Sequence, residues 1–196
     1  MGKRERKMRL FIAVELAEEM KDYLSRIQQA WQEGCSRANF SRRENLHLTI
    51  KFLGETRVEE LPSIQAAMEE AARATAPFSL RLGEPGFFSR QQKKILWVGL
   101  QGDLQDLRKL FHRLEVHLAE KGFPKEKRAF SPHITLAREA VLKEGWEELS
   151  RRLCLEPRIL PVTHLTLMES SCPQGKLTYL PLFRFSLQGP AGSRDC

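Results

Sequence analysis

The strongest constraint on the fold is a four-residue motif that occurs twice in equivalent surroundings in this 196-residue chain. His47-Leu-Thr-Ile is followed, 86 residues later, by His133-Ile-Thr-Leu, and each motif comes after a strand-like run and a helix-like run. An interval of this length is too long for the repeat of a solenoid. The duplication predicts two related lobes that face each other across a cleft. Strand–helix alternation mixed with hairpins places the chain in the α+β class.

Hydrophobic periodicity predicts the elements of both lobes. Apolar residues recur at helical spacing over 16–34, 58–75, 104–122 and 142–153. Apolar or alternating runs typical of strands occupy 9–16, 45–54, 78–82, 95–100, 131–138, 159–168 and 177–187. The Gly- and Pro-containing stretch at 83–94 is predicted to separate two of these strands.

The lobes are expected to form one domain, since no stretch rich in Pro, Gly or Ser separates them. We expect this domain over residues 9–188, between a flexible basic N-terminal segment at 1–8 and a polar C-terminal tail at 189–196. No apolar run approaches the ~20 residues of a membrane-spanning helix. The basic start is not followed by the apolar core of a secretory signal. These features predict a soluble, cytoplasmic protein.

Charge and cysteine content give weaker indications. The chain has 32 Lys and Arg against 25 Asp and Glu, a formal net charge of +7 and a pI near 9.4. A basic surface suits a polyanion such as RNA or DNA, although it also serves solubility alone. The four cysteines (Cys35, Cys154, Cys172, Cys196) are scattered and contain no C-x-x-C pair. They are interpreted as reduced structural thiols rather than as metal ligands.

The His-x-Thr motifs carry the chemical signal. In a strand, residues two apart share a face and lie about 6.5 Å apart, so His47 is presented with Thr49, and His133 with Thr135. Displacement at a phosphodiester needs a base for the attacking oxygen and an acid for the leaving oxygen, and histidine can be either near neutral pH. Threonine hydroxyls can stabilise the phosphate oxygens. This chemistry needs no metal or other cofactor.

At this point the sequence resembles a known family. The segments 47–54 and 132–138 are similar to the paired signatures of the two-histidine (2H) phosphoesterases, and within them to the RNA 2′,3′-cyclic phosphodiesterases, once described as 2′-5′ RNA ligases. Further similar segments are Arg9-Leu-Phe-Ile-Ala, Leu96-Trp-Val-Gly-Leu, Met168-Glu-Ser, Gly175 and Tyr179. The resemblance covers nearly the whole chain.

The resemblance implies a bilobal fold of two pseudo-symmetric antiparallel sheets, backed by helices around a central cleft. It implies hydrolysis of the 2′,3′-cyclic phosphate at RNA ends, including tRNA-like fragments, to a 2′-phosphomonoester, with weak reversible 2′-5′ ligation. His47 would be the proton donor and His133 the proton acceptor, while Thr49 and Thr135 would hold the phosphate. No cofactor and no obligate protein partner are implied, and we expect a monomer.

Other residues keep two interpretations. Arg138 could assist through its charge, although strand alternation places it opposite His133. Phe11 could stack on the terminal base or belong to the core. Lys51 is predicted to share the face of His47, where it would contact RNA or be solvated. A third match, His164-Leu-Thr166, lacks the residues that flank the second signature and is expected to lie outside the site.

Two other classes of function remain open at this level. One is a phosphodiesterase for a small cyclic nucleotide or for an ADP-ribose cyclic phosphate, which would use the same groups. The other is a non-catalytic module that binds RNA ends. Retention of both histidines and both threonines favours the enzyme.

Overall fold

A computed structural model describes residues 6–151 and 155–189. In these segments the strands are β1 (Lys7–Glu15), β2 (Cys35–Phe40), β3 (His47–Arg57), β4 (Phe78–Arg90), β5 (Lys93–Gly102), β6 (His133–Leu142), β7 (Ile159–Val162), β8 (His164–Ser171) and β9 (Thr178–Ser186). The α-helices are α1 (Glu18–Glu33), α2 (Leu61–Arg73), α3 (Leu104–Glu120) and α4 (Trp146–Arg151). Among the described helices, none has the length and apolar character required to cross a membrane.

The strands form two antiparallel sheets, which confirms the α+β, two-sheet fold. The first sheet has the order β3-β1-β8-β9, and the second has the order β2-β6-β5-β4-β7. The two halves of the sequence repeat correspond to β1-α1-β3 and β5-α3-β6, and in each half the two strands pair antiparallel. The motif strands β3 and β6 lie next to each other where the sheets meet.

A continuous apolar core joins both sheets to the helices. Helix α1 follows β1 of the first sheet but packs on β2 and β6 of the second, with Leu24 and Trp31 fully buried. Its buried Gln28 donates two hydrogen bonds from Nε2, each of 2.8 Å, to the carbonyl oxygens of Ser41 and Leu136. The core therefore fixes the backbone of β6 at Leu136, three residues after the second histidine.

Three predicted elements differ from the structure. The stretch at 83–94 is not a connection, since β4 and β5 run through it as a long hairpin that turns at Gln91 with φ of 54°. The predicted strand at 159–168 is two strands, which separate at Thr163 and belong to different sheets. The edge strand β2 has no counterpart in the prediction, because its sequence, Cys-Ser-Arg-Ala-Asn-Phe, has little apolar alternation.

The ends of the chain also differ in part. The segment predicted as flexible at 1–8 includes Lys7 and Met8, which pair in β1 with Arg57 and Thr56. Of the tail predicted at 189–196, Gly189 donates its N–H to the carbonyl oxygen of Thr75 at 2.9 Å. Residues 1–5, 152–154 and 190–196 lie outside the described part, and so do two of the four cysteines.

Candidate active site

The first histidine is held by its own backbone. His47 opens β3, and its Nδ1–H donates to the carbonyl oxygen of Asn45 at 2.7 Å. This hydrogen bond fixes the ring orientation and leaves Nε2 next to the Thr49 hydroxyl at 2.8 Å. The ring packs against Phe11 and Tyr179, with centroid distances of 4.9 and 5.1 Å. His47 therefore has a defined tautomer when neutral, in which Nε2 accepts the Thr49 hydroxyl and is the ring atom that can exchange a proton.

The second histidine repeats this arrangement. His133 opens β6, and its Nδ1–H donates to the carbonyl oxygen of Ser131 at 2.7 Å. Its ring lies against Phe88 and Trp97, at centroid distances of 5.0 and 5.9 Å. In both lobes the Nδ1 partner is the carbonyl two residues earlier. Both Nε2 atoms are thus left for chemistry.

A β-bulge follows the threonine in each motif strand. Ala13 pairs with Thr49 and Ile12 with Lys51, so Ile50 is the extra residue in β3. Trp97 pairs with Thr135 and Leu96 with Ala137, so Leu136 is the extra residue in β6. One extra residue reverses the alternation of faces beyond it.

The bulges decide which side chains join the histidines. In β6, Ala137 turns into the core and Arg138 faces the cleft, where it lines cavities together with His47 and Thr135. The expectation that alternation places Arg138 opposite His133 is therefore wrong, because that alternation ignores the bulge. In β3 the same reversal brings Phe52 to the cleft with 62% of its surface exposed.

Lys51 lies in a different environment from the predicted one, and Phe11 has a largely packed ring. The bulge turns Lys51 away from His47, and its side chain is buried against Glu115 of α3 instead of being solvated. Phe11 is 3% exposed and packs in a small cluster with Ala13 and Met168, and it also borders the cleft beside His47. Its contact with His47 gives it a packing role, and Phe52 is the aromatic side chain that the sequence reasoning missed.

The electrostatics connect the two lobes. The pKa of His47 is lowered to about 4, mainly by burial and to a smaller extent by the positive charges of Arg138 and His133, which together outweigh the opposing effect of the Asn45 hydrogen bond. Burial lowers the pKa of His133 as well, with a contribution from Arg138. Without a ligand, both shifts favour the neutral imidazole. A phosphate anion placed between them would favour protonation.

Three cavities surround the histidines. One of about 460 Å³ is lined by His47, Phe52 and Arg138, and one of about 630 Å³ by His47, Thr135 and Arg138. The third, of about 510 Å³, reaches Thr49 and His133. Basic residues line all three: Arg9, Arg42, Lys51, Arg90, Arg128, Arg138 and Lys176. The cleft is therefore suited to a polyanion.

The third His-x-Thr motif serves a different purpose. Thr166 is fully buried, and its hydroxyl donates to Glu15 Oε2 at 2.7 Å. Arg184 binds both oxygens of Glu15, at 2.6 and 2.8 Å, and His164 Nε2 lies 3.4 Å from the same carboxylate. The hydrogen bonds of Arg184 are the main reason that the pKa of Glu15 is lowered to about 2. This cluster ties β1, β8 and β9 together, and none of its four side chains lines the three cavities.

Known proteins share this architecture over most of the chain. The RNA 2′,3′-cyclic phosphodiesterase of Thermotoga maritima is 28% identical over 183 residues, which are 93% of this chain and 97% of that protein. The protein of the same name from Escherichia coli is 30% identical over 187 residues, which are 91% and 96% of the two chains. The crystal structure of E. coli LigT complexed with 3′-AMP has a TM-score of 0.75 at 27% identity and covers 93% of this chain and 99% of that one.

Two lobes that each present a His-x-Thr motif to a common cleft define the class of two-histidine phosphoesterases. The family model of the 2′-5′ RNA ligase superfamily matches residues 14–171. The chain belongs to that superfamily, and the resemblance found in the sequence is confirmed.

Proposed function

We propose that this protein hydrolyses the 2′,3′-cyclic phosphate at RNA ends to a 2′-phosphomonoester, with His47 as the proton donor and His133 as the proton acceptor. The observation that carries the proposal is the matched pair of imidazoles. Each has its Nδ1–H bound to a carbonyl, so that Nε2 is the atom left to exchange a proton, and the charge of His133 affects the pKa of His47.

The two proton transfers balance within the pair. His133 Nε2 takes a proton from water as the water oxygen bonds to phosphorus. The bond from phosphorus to the 3′ oxygen breaks, and protonated His47 gives its proton to that oxygen. The pKa of His47 is lowered in the free protein. The bound phosphate anion would raise this pKa again and so stabilise the protonated form that the reaction needs. With a 5′-hydroxyl in place of water, the same steps in the same direction join the two ends through a 2′-5′ bond, which would be a weak activity, and the reverse steps cleave that bond.

The remaining groups hold the substrate. The hydroxyls of Thr49 and Thr135 would donate to the non-bridging phosphate oxygens, and Arg138 would stabilise the charge that develops on them. Phe52 exposes its ring at the edge of two cavities, where a nucleobase could stack. The relatives named as RNA 2′,3′-cyclic phosphodiesterases support RNA as the substrate, and the basic cleft agrees with it.

The test is an RNA oligonucleotide with a 2′,3′-cyclic end, incubated with the protein in EDTA. We expect a 2′-phosphate product, and a loss of about 10²- to 10⁴-fold in rate for His47→Gln and for His133→Gln. His112→Gln is the matched control, since His112 is exposed on α3 outside the cleft. Hydrolysis of a small cyclic phosphate without turnover of RNA would show that the substrate is a small cyclic phosphodiester and not RNA. Tight RNA binding without any turnover would make the protein a binding module.

A further inference from the structure

A buried ion pair lies beside the first motif. The bulge in β3 turns Lys51 toward α3, where its Nζ binds Oε1 of Glu115. Each residue is 6% exposed. Both charged groups are removed from water, which is costly unless further hydrogen bonds satisfy them.

Those further bonds go to one segment, the linker at residues 121–132 between α3 and β6. Lys51 Nζ donates to the carbonyl oxygen of Pro124 at 2.9 Å. The second carboxylate oxygen of Glu115 accepts the N–H of Glu126 at 2.7 Å. The ion pair therefore attaches the start of the linker to β3, two residues beyond Thr49.

The end of the linker carries the second histidine. Phe130 stacks on Phe111 of α3, with a centroid distance of 4.3 Å and an interplanar angle of 4°. The next residue, Ser131, accepts the Nδ1–H of His133. Contacts at both ends of the linker, joined by residues 127–129 of the chain, thus connect the strand of the first histidine to the ring of the second.

We propose that Lys51 and Glu115 are positioning residues that set where His133 stands relative to His47. The inference rests on the proposed function, in which both imidazoles must reach opposite sides of one phosphorus. An apolar pair of similar size can fill such a site without loss of stability, but it lacks the directional bonds to Pro124 and Glu126. In β6 the equivalent of Lys51 is the buried Ala137, so an ion pair of this kind follows the first motif and not the second.

The experiment compares two variants with the wild-type protein. One is the double variant that combines Lys51→Met and Glu115→Leu, and the other is the isosteric single variant Glu115→Gln. We expect the double variant to fold, with kcat at least tenfold lower and KM within about twofold. Replacing the exposed pair Asp106 and Lys109 on the same helix by Leu and Met is the matched control, and it should leave both constants unchanged.

A second measurement is independent of turnover. Burial is the main cause of the lowered pKa of His133, so a displaced linker should move that pKa toward its ordinary value in an NMR titration, with His47 and Arg138 still present. Unchanged kcat and unchanged titration in a folded variant would overturn the proposal. If the double variant does not fold, Glu115→Gln decides by the same two criteria. Failure of wild type to hydrolyse cyclic phosphate would reject the proposed function, while the titration would still test the positioning.

Discussion

Arg138 occupies on β6 the position that Phe52 occupies on β3. Each residue is the fifth after its histidine and the second after a bulge. Both line the cavity of about 460 Å³ beside His47. The repeat thus brings a guanidinium from one lobe and an aromatic ring from the other to the same cleft, so a symmetric backbone produces an asymmetric site.

Replacing Arg138 by Gln is expected to lower kcat/KM for cyclic-ended RNA by about 10- to 100-fold, because the guanidinium no longer stabilises charge on the phosphate. The positive charge of Arg138 also lowers the pKa of both histidines. The variant should therefore show a pH–rate profile moved to higher pH. Arg108→Gln, on the exposed side of α3, is the control. An unchanged pH–rate profile for Arg138→Gln would show that Arg138 does not act in the site.

The two neighbouring phenylalanines should behave differently when each is replaced by alanine. Phe52→Ala is expected to raise KM for RNA about tenfold with little change in stability, since its ring is 62% exposed. Phe11→Ala should cost about 3–5 kcal/mol of unfolding free energy, because its ring is buried against His47 and Tyr179. Denaturant unfolding and steady-state kinetics on both variants separate these effects, and equal stability losses would contradict the assignment.

The third motif should be dispensable for turnover. His164→Gln is expected to keep kcat within about twofold, since His164 contacts Glu15 and Thr163 outside the cleft cavities. Thr166→Val should instead destabilise the fold by about 1–3 kcal/mol, because it removes a buried donor from the Glu15 carboxylate. A large fall in kcat for His164→Gln with normal stability would place this histidine in the reaction.

Acid should destabilise the wild-type protein partly through His47. In the unfolded chain its pKa is near 6.5, whereas in the folded protein it is about 4. As the pH falls from 6.5 toward 4, the unfolded state takes up a proton that the folded state does not, so stability decreases. The His47→Gln variant should lose about 2 kcal/mol less than wild type between pH 7 and pH 4.5. Denaturant midpoints at both pH values measure this, and parallel losses would show that His47 is not the cause.

The class of fold and the motif pairs were predictable from sequence because they depend on local patterns. Alternation in β3 and β6 places each histidine with its threonine, and the repeat relates the two strands. The elements with weak patterns were missed. β2 is an edge strand with few apolar residues, and its place depends on antiparallel pairing with β6, about 100 residues away.

The faces of Lys51, Phe52 and Arg138 were not predictable, because a bulge depends on tertiary contacts. The carbonyl oxygen of Leu136 accepts the Gln28 side chain and the N–H of Ser41, both remote in sequence. The residues next to Leu136 in the sequence do not identify those partners. One inserted residue then exchanges the inward and outward side chains that follow.

The split at Thr163 has a consequence for synthesis on the ribosome. The chain leaves the second sheet after β7 and returns to the first sheet as β8, which lies between β1 and β9. The first sheet therefore cannot be completed until the C-terminal strands have emerged. The edge of β1 that pairs with β8 stays unpaired while about 150 residues are synthesised. Nascent chains that stop short of β8 should hold His47 on an incomplete sheet, and only chains that extend through β9 should acquire the finished cleft.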